Sequence, residues 1–185
     1  SPALGFGPAI SFGIQSQAGV YTVIATNVIT GCTSTMNGST TVIPGTLPAL
    51  FTVTGGGSFC TGNAGPLVGL SGSETGVSYQ LVKNGSNEAG PVAGTGSAIS
   101  FGIQNFAGTY TIVATHSSGC TRTMTGTAVV IENALPVVYS VTGGGGYCSG
   151  AGPLVGLSGS ESGVNYQLQR NGTNTGSPVA GNGSA

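Results

Sequence analysis

The chain has 185 residues, of which only 4% are charged, and its formal net charge is −1. Its three basic residues are too few to neutralise a nucleic-acid backbone, and no apolar run approaches the roughly 18 residues of a membrane-spanning helix. We therefore expect no nucleic-acid partner and no membrane span. Thr, Val and aromatic residues recur among 36 glycines while common helix formers are scarce, so the composition predicts an all-β protein.

The predicted strands in the middle of the chain are short and separated by turn residues. In chain order they are residues 50–54, 67–70, 77–81, 99–103, 110–115 and 121–131. The pair Asn84-Gly85 follows the third strand and predicts a type I′ hairpin turn. The run Gly55-Gly56-Gly57 follows the first strand and predicts a bulge or a strand crossover with positive φ. Strands of this length and spacing indicate a β-sandwich.

Long stretches of the sequence occur twice, 87 to 89 residues apart. The matched pairs are 8–26 with 97–115, 31–38 with 119–126, 54–60 with 142–148 and 65–81 with 152–168. A unit of about 88 residues is too long for one coil of a solenoid and is close in size to an immunoglobulin domain. The sequence therefore predicts tandem immunoglobulin-like β-sandwich repeats of about 88 residues.

Proline marks the predicted boundaries between repeats, because Pro48 and Pro136 occupy equivalent positions after breaks in the strand pattern. We predict a complete repeat at 47–134, the C-terminal half of a repeat at 1–46 and the N-terminal half of a further repeat at 135–185. Half a sandwich leaves an apolar face uncovered, so neither end segment is expected to fold alone. Two arrangements would complete them: a longer tandem array, or a filament in which strands of one copy complete those of the next.

Four cysteines occupy two positions of the repeat. Cys60 and Cys148 follow the glycine runs (the post-glycine cysteines), and Cys32 and Cys120 lie in Gly-Cys-Thr (the Gly-Cys-Thr cysteines). A disulfide between Cys60 and Cys120 within one domain would close a loop of about 60 residues and stabilise the fold by roughly 4 kcal/mol. Cys32 and Cys148 would then pair with a neighbouring repeat or a neighbouring chain. Disulfides predict an extracellular location, and four reduced core thiols are the alternative.

No set of residues predicts catalysis, a metal site or a cofactor, so we predict that the chain is not an enzyme. Glu74 and Glu161 are repeat equivalents in a turn, where a solvated position or a capping hydrogen bond is expected. The single histidine, His116, has no counterpart in the first copy and is predicted to be a loop residue. Tyr21 and Tyr110, each in Ala-Gly-x-Tyr-Thr, are candidate tyrosine corners, with core packing as the alternative.

A family resemblance is carried by five phrases of the sequence: TGGG, VGLSGSETGVSYQLVKNG, GTGSAISFGIQ, AGTYTIVAT and GCTRTMTG. Together they resemble the tandem immunoglobulin-like repeats of very large surface proteins of Bacteroidota, and the resemblance covers essentially the whole chain. It implies export by type IX secretion and a role as a surface filament, stalk or adhesin.

The sequence thus predicts a structural protein of an extracellular or cell-surface filament or stalk, whose partners are copies of itself joined end to end. The alternative is an adhesin repeat that binds a cell-surface or glycan ligand. Glycan sites use exposed aromatic residues, and Phe6 and Phe106 are candidates because their repeat equivalents, Thr95 and Gln17, are not aromatic.

Overall fold

The computed structural model describes residues 7–184 and contains strands but no helix in that range. The prediction of an all-β protein is confirmed. Accordingly, the described part of the chain has no helix that is long and apolar enough to cross a membrane. Its strands are β1 Gly19–Tyr21, β2 Ile24–Thr26, β3 Thr33–Thr35, β4 Thr40–Val42, β5 Val53–Gly55, β6 Gly57–Cys60, β7 Leu67–Leu70, β8 Val77–Lys83, β9 Ser86–Asn87, β10 Val92–Ala93, β11 Ile99–Ile103, β12 Gly108–His116, β13 Thr121–Thr123, β14 Ala128–Asn133, β15 Val141–Gly143, β16 Val155–Leu157, β17 Asn165–Tyr166, β18 Gln169–Arg170, β19 Thr173–Asn174 and β20 Val179–Ala180.

The chain divides into two compact units. The first comprises residues up to Gly55, Leu67–Gly102 and Gly108–Val129, and the second comprises Gly56–Pro66, Ile103–Ala107 and the residues from Val130 onward. The repeat boundaries that the sequence suggests, after residues 46 and 134, stay predictions.

The first unit contains two sheets in a sandwich-like arrangement. The larger sheet has the strand order β10–β8–β12–β14, with β9 paired to β8 and β13 paired to β12, and the smaller has the order β11–β7–β5. At the centre of the larger sheet, Leu81 of β8 lies opposite Ile112 of β12, and Tyr79 lies opposite Ala114. All four side chains are buried, so the alternation that predicted these strands also fills the core.

The core of the first unit draws on both of these sheets. Its buried apolar residues are Val53, Val68, Leu70, Val77, Tyr79, Leu81, Ile99, Tyr110, Ile112, Ala114, Met124 and Ala128. Burial of each large aliphatic side chain stabilises the folded state by about 1.5–3 kcal/mol. The N-terminal ladders β1–β4 and β2–β3 contrast with this core, because most of their residues are exposed.

The second unit begins with a parallel pair formed by β6 and the C-terminal part of β14. Gly57 lies opposite Val130, and Cys60 lies opposite Asn133. Three short antiparallel pairs follow, β15–β16, β17–β20 and β18–β19. Their residues are mostly exposed.

Segments that match in sequence also pair in the same register. Val53 lies opposite Leu70 in β5–β7, and the matching Val141 lies opposite Leu157 in β15–β16. The same correspondence holds between β8–β10 and β17–β20, and between β12–β13 and β2–β3. The local pairing is therefore the same in these matched segments, although ISFGI forms strand β11 at 99–103 and no strand at 10–14.

The predicted hairpin turn is confirmed, and of the two structures predicted for the glycine run, a bulge or a crossover, the crossover is observed. Asn84 and Gly85 have φ values of 49° and 86° and form a two-residue connection between β8 and β9, as a type I′ turn requires. All three glycines of the run 55–57 have positive φ. Strand β5 ends and β6 begins within this run, and the two strands pair with different partners, so the run is a crossover.

The predicted continuous strand over residues 121–131 is wrong. The structure has two strands there, β13 and β14, separated by four residues that include Gly126 with a φ of 79°. In this break the carbonyl oxygen of Thr125 accepts a hydrogen bond from the amide of Val53 at 2.8 Å. A run of Thr and Val could not reveal this partner, because it lies more than 70 residues away in sequence.

Candidate functional site

The segment that leads into the predicted complete repeat, residues 43–48 (the leading linker), is held by side chains that are distant in sequence. Arg122 Nη1 donates a hydrogen bond to the carbonyl oxygen of Pro48 at 3.0 Å. One residue later, the amide of Ala49 donates to Glu74 Oε2 at 2.6 Å. Pro48 itself is fully buried. The linker is therefore fixed by one cation, one carboxylate and one buried proline.

A second set of bonds joins the leading linker to the turn between β12 and β13. The amide of Thr46 donates to Ser118 Oγ at 3.2 Å. The same hydroxyl lies 2.9 Å from His116 Nδ1, which accepts a hydrogen bond from the Ser118 amide at 3.1 Å. His116 is the last residue of strand β12 and lies opposite Val77 of β8, so the prediction that it is a loop residue is wrong. Its ring orders the adjacent turn, which contacts the linker.

Glu74 has an equivalent arrangement in the other copy. Glu161 Oε2 accepts a hydrogen bond from the amide of Val137 at 2.6 Å, as Glu74 does from Ala49. The amide of Glu74 donates to the hydroxyl of Tyr79, and the amide of Glu161 donates to the hydroxyl of Tyr166, both at 2.9 Å. The capping hydrogen bond predicted for these glutamates is confirmed, and its target is the segment that follows the linker proline.

A glutamine network also occurs in both copies. Gln80 Nε2 donates to the carbonyl oxygens of Leu81 and Glu88 at 2.8 and 2.7 Å. Gln167 makes the two equivalent bonds at 2.9 and 3.1 Å. These bonds satisfy main-chain acceptors at the side of the hairpin, so each glutamine is explained by local structure.

The four cysteines lie at different places and are free thiols in this structure. Cys60 is exposed at the end of β6, opposite Asn133. Cys120 is half-buried in the turn before β13, and a Cβ atom placed on Gly45 would overlap its sulfur. Cys32 and Cys148 are exposed. The intradomain pairing of Cys60 with Cys120, and the pairing of the other two with neighbours, stay predictions.

The two candidate corner tyrosines differ in environment. The Tyr21 hydroxyl donates to the carbonyl oxygen of Gln17, four residues earlier, at 2.8 Å. Tyr110 is completely buried, and this burial raises its pKa, an effect that the nearby Lys83 partly offsets. Lys83 forms a 2.7 Å ion pair with Glu88, and the hydrogen bond to this carboxylate raises the lysine pKa. The tyrosine-corner role stays a prediction for both tyrosines.

Exposed aromatic residues are the remaining candidates for ligand contact. Phe106 and Tyr147 are both mostly exposed. Phe6, the other predicted candidate, lies outside the described residues. No cluster of three or more His, Cys, Asp or Glu side chains suited to a metal ion occurs among residues 7–184.

Comparison with known proteins returns no assignment: no protein-family model matches the chain, and no curated protein sequence matches it either. Within the described residues, the leading linker is where side-chain hydrogen bonds from distant residues and a buried proline occur together. Sequence reasoning gave a capping hydrogen bond as one of two expected roles for Glu74 but did not predict the linker as its target, and it missed Arg122 and Ser118. The one sequence feature that could have indicated Arg122 and Ser118 is that each lies two residues from Cys120, a Gly-Cys-Thr cysteine.

Proposed function

We propose that this chain is a structural segment or subunit of an extracellular filament or stalk, built from tandem immunoglobulin-like repeats of about 88 residues. One observation carries the proposal: residues 7–46 and 135–184 expose apolar positions whose equivalents are buried in the intervening region. Such residues are suited to a core that further repeat segments complete, in a longer array or in a neighbouring copy.

Matched positions give the size of this difference. Val53 is 7% exposed, whereas its equivalent Val141 is 74% exposed. Met124 is 3% exposed, whereas its equivalent Met36 is 42% exposed. Because the residue types are identical in each pair, the difference comes from missing neighbours and not from composition. Val141 and Met36 are therefore core-type apolar residues that lie in segments without a covering sheet.

The clamped linker supports a mechanical role. Arg122, Ser118 and Glu74 each bind the main chain at or beside the leading linker, and Pro48 restricts its φ. A short linker held in this way limits hinge motion between consecutive repeats. Tension along the chain would then load sheet hydrogen bonds and the sandwich core, not a flexible connector.

Two further features suit an extracellular fibre. The net charge of −1 provides little long-range repulsion, so close packing between neighbours costs little electrostatically. The four cysteines supply disulfides in an oxidising compartment. The resemblance to Bacteroidota surface repeats points to the same location, at the cell surface or outside the cell.

A two-copy chain tests the proposal. Ser1-Pro2 and Ser177-Pro178 are equivalent, so residues 1–185 followed directly by residues 10–185 of a second copy continue the repeat without interruption. We expect small-angle X-ray scattering to show an elongated particle whose longest dimension increases by two repeats while its cross-section stays constant. Electron microscopy should show a thin rod.

A scrambled-order version, in which residues 10–46 of the second copy are shuffled, is the matched control. It keeps length and composition but cannot complete the sandwich, so we expect a disordered joint in the middle of the particle. A compact or fully flexible particle from the intact two-copy chain would contradict the proposal.

The second candidate is a glycan-binding adhesin repeat, favoured by the exposed rings of Phe106 and Tyr147. Aromatic rings stack on the apolar faces of sugars, and these two have the required exposure. A glycan array probed with the full chain would detect such binding. Binding that is lost in Phe106→Ala or Tyr147→Ala would favour the adhesin, whereas an empty array would leave the structural role.

A further inference from the structure

The positions of the cysteines point to a covalent bond at the junctions between repeats. We propose that the post-glycine cysteine of one repeat forms a disulfide with the Gly-Cys-Thr cysteine of the repeat that follows it. This inference rests on the proposed tandem arrangement, and it differs from the intradomain pairing of Cys60 with Cys120 that the sequence suggested.

The first observation concerns the linker that leaves the predicted complete repeat, residues 131–136 (the trailing linker). Cys60 lies directly opposite Asn133 in the parallel pair β6–β14. The next residue, Thr61, donates from its amide to the carbonyl oxygen of Asn133 at 2.9 Å. The post-glycine cysteine is therefore fixed beside the third residue of the linker that follows its own repeat.

The second observation concerns the leading linker. The Cys120 sulfur occupies the place where a side chain on Gly45 would begin. The same turn binds the neighbouring Thr46 through the Ser118 hydroxyl. The Gly-Cys-Thr cysteine is therefore fixed beside the third residue of the linker that precedes its own repeat.

These two linker residues are the same position of the repeat, because Gly45 and Asn133 are 88 residues apart, as are Pro48 and Pro136. In a continuous array, one linker residue thus has a post-glycine cysteine on one side and a Gly-Cys-Thr cysteine on the other. The two cysteines belong to consecutive repeats. In such an array, the partner of Cys60 at Asn133 would come from the repeat that follows, and the partner of Cys120 at Gly45 would come from the repeat that precedes.

The spacing suits a disulfide. Hydrogen-bonded strands lie about 4.8 Å apart, which is the separation expected between the linker residue and the post-glycine cysteine. A sulfur at the side-chain position of that linker residue is then close to the cysteine opposite, and disulfide-bonded Cβ atoms lie about 3.5–4.5 Å apart. Gly45 has no side chain, so the Cys120 sulfur can occupy this position, whereas Asn133 fills it with its own side chain. A junction whose linker residue is glycine (a Gly45-type junction) is therefore the sharper test.

The bond forms by thiol–disulfide exchange with a small disulfide such as oxidised glutathione. The thiolate of one cysteine attacks the oxidant and releases one thiol, leaving a mixed disulfide. The thiolate of the second cysteine then displaces the second thiol and forms the Cys–Cys bond. The protein loses two electrons and two protons, and the oxidant gains them as its two thiols.

The two-copy chain contains one complete Gly45-type junction, between Cys148 of the first copy and Cys120 of the second. Replacing Cys120 by Ser in the first copy and Cys148 by Ser in the second leaves Cys148 only in the first copy and Cys120 only in the second. Trypsin cleaves only after Lys83, Arg122 and Arg170, so it separates the two cysteines into residues 123–170 and residues 84–122. The protein is oxidised with oxidised glutathione, digested without reductant and mapped by mass spectrometry.

We expect a cross-linked product of 84–122 with 123–170 that disappears on reduction. A cross-link from 84–122 to the tryptic peptide that contains both Cys32 and Cys60 of the second copy would overturn the inference. An alkylatable Cys120 with no cross-link would overturn it as well. As control, Cys148→Ser in the first copy should leave the Cys120 of the second copy fully alkylatable.

Scattering from the same protein separates the two proposals. If the particle remains elongated while Cys120 pairs elsewhere, the junction disulfide fails and the tandem fibre stands. If the particle lacks the ordered joint and no cross-link forms, the proposed function fails, and the junction disulfide fails with it.

Discussion

The same leucine-to-alanine change at two equivalent positions should have very different costs. Leu81 is 3% exposed and lies opposite the buried Ile112, whereas its equivalent Leu168 is 50% exposed. Truncating a buried leucine to alanine removes transfer energy and leaves a cavity, together about 2–5 kcal/mol. At Leu168 no cavity forms and only part of the side chain is covered, so we expect a loss of about 1 kcal/mol or less.

Urea unfolding of the 185-residue chain measures this difference. With a slope of about 2 kcal/mol per molar urea, the loss of about 2–5 kcal/mol in Leu81→Ala should lower the midpoint by about 1–2.5 M. Leu168→Ala should change it little. Equal costs for both variants would contradict the assignment of Leu168 to an uncovered face.

The two-copy chain turns this comparison into a test of completion. There, Val23 of the second copy takes the place of Ile112 opposite Leu168 of the first copy, as the repeat alignment requires. We expect Leu168→Ala in the first copy to become as costly as Leu81→Ala, about 2–5 kcal/mol. The same change in the second copy is the internal control and should remain mild. A mild effect in both copies would refute the reasoning that the segments complete each other.

Three other outcomes are expected. Gly55 has a φ of 89°, and a Cβ there would collide with a main-chain carbonyl group, so Gly55→Ala should destabilise the protein strongly. Gly144 has open space around it, so Gly144→Ala should cost only the roughly 1–2 kcal/mol of a left-handed backbone. Thermal unfolding of the two variants measures the difference. Glu74→Ala should cost about 1–3 kcal/mol and speed hydrogen exchange at the Ala49 amide, because it removes a 2.6 Å bond to a carboxylate; unchanged exchange there would contradict the linker clamp. Burial raises the pKa of Tyr110 above its ordinary value of about 10, so the stability linked to its protonation is complete below that pH and is lost as pH rises through the raised pKa. Between pH 8 and 12, the free energy of unfolding should therefore fall less steeply with pH in Tyr110→Phe than in the unchanged protein. Identical slopes for the two proteins would show that Tyr110 does not titrate with unfolding.

Local features of the fold were predictable because local chemistry decides them. Strand β8 follows from the alternation of Val77, Tyr79 and Leu81, and the turn after it follows from the ability of Asn84 and Gly85 to adopt positive φ. These choices depend on residues within a few positions of each other, and a sequence displays them directly.

Features that depend on distant partners were not predictable in the same way. The break between β13 and β14 is fixed by a bond to Val53, and the leading linker is fixed by Arg122, which is 74 residues from Pro48. Nothing in the composition around these residues identifies the partner. The repeat did supply one hint, since a glutamate retained at 74 and 161 in an otherwise uncharged turn is expected to have a structural task.

The few charges of this chain are used mainly for local structure. Of its seven ionisable Lys, Arg and Glu residues, two form an ion pair with each other and three bind main-chain groups. With so few charges and a formal net charge of −1, the chain has only a weak long-range field. In the proposed array, recognition between neighbouring repeats would then depend on apolar burial, sheet hydrogen bonds and, at the junctions, cysteine. These are short-range interactions, which would require the proposed repeats to be held in fixed register, and the hydrogen bonds to residues 46–49 are suited to that role.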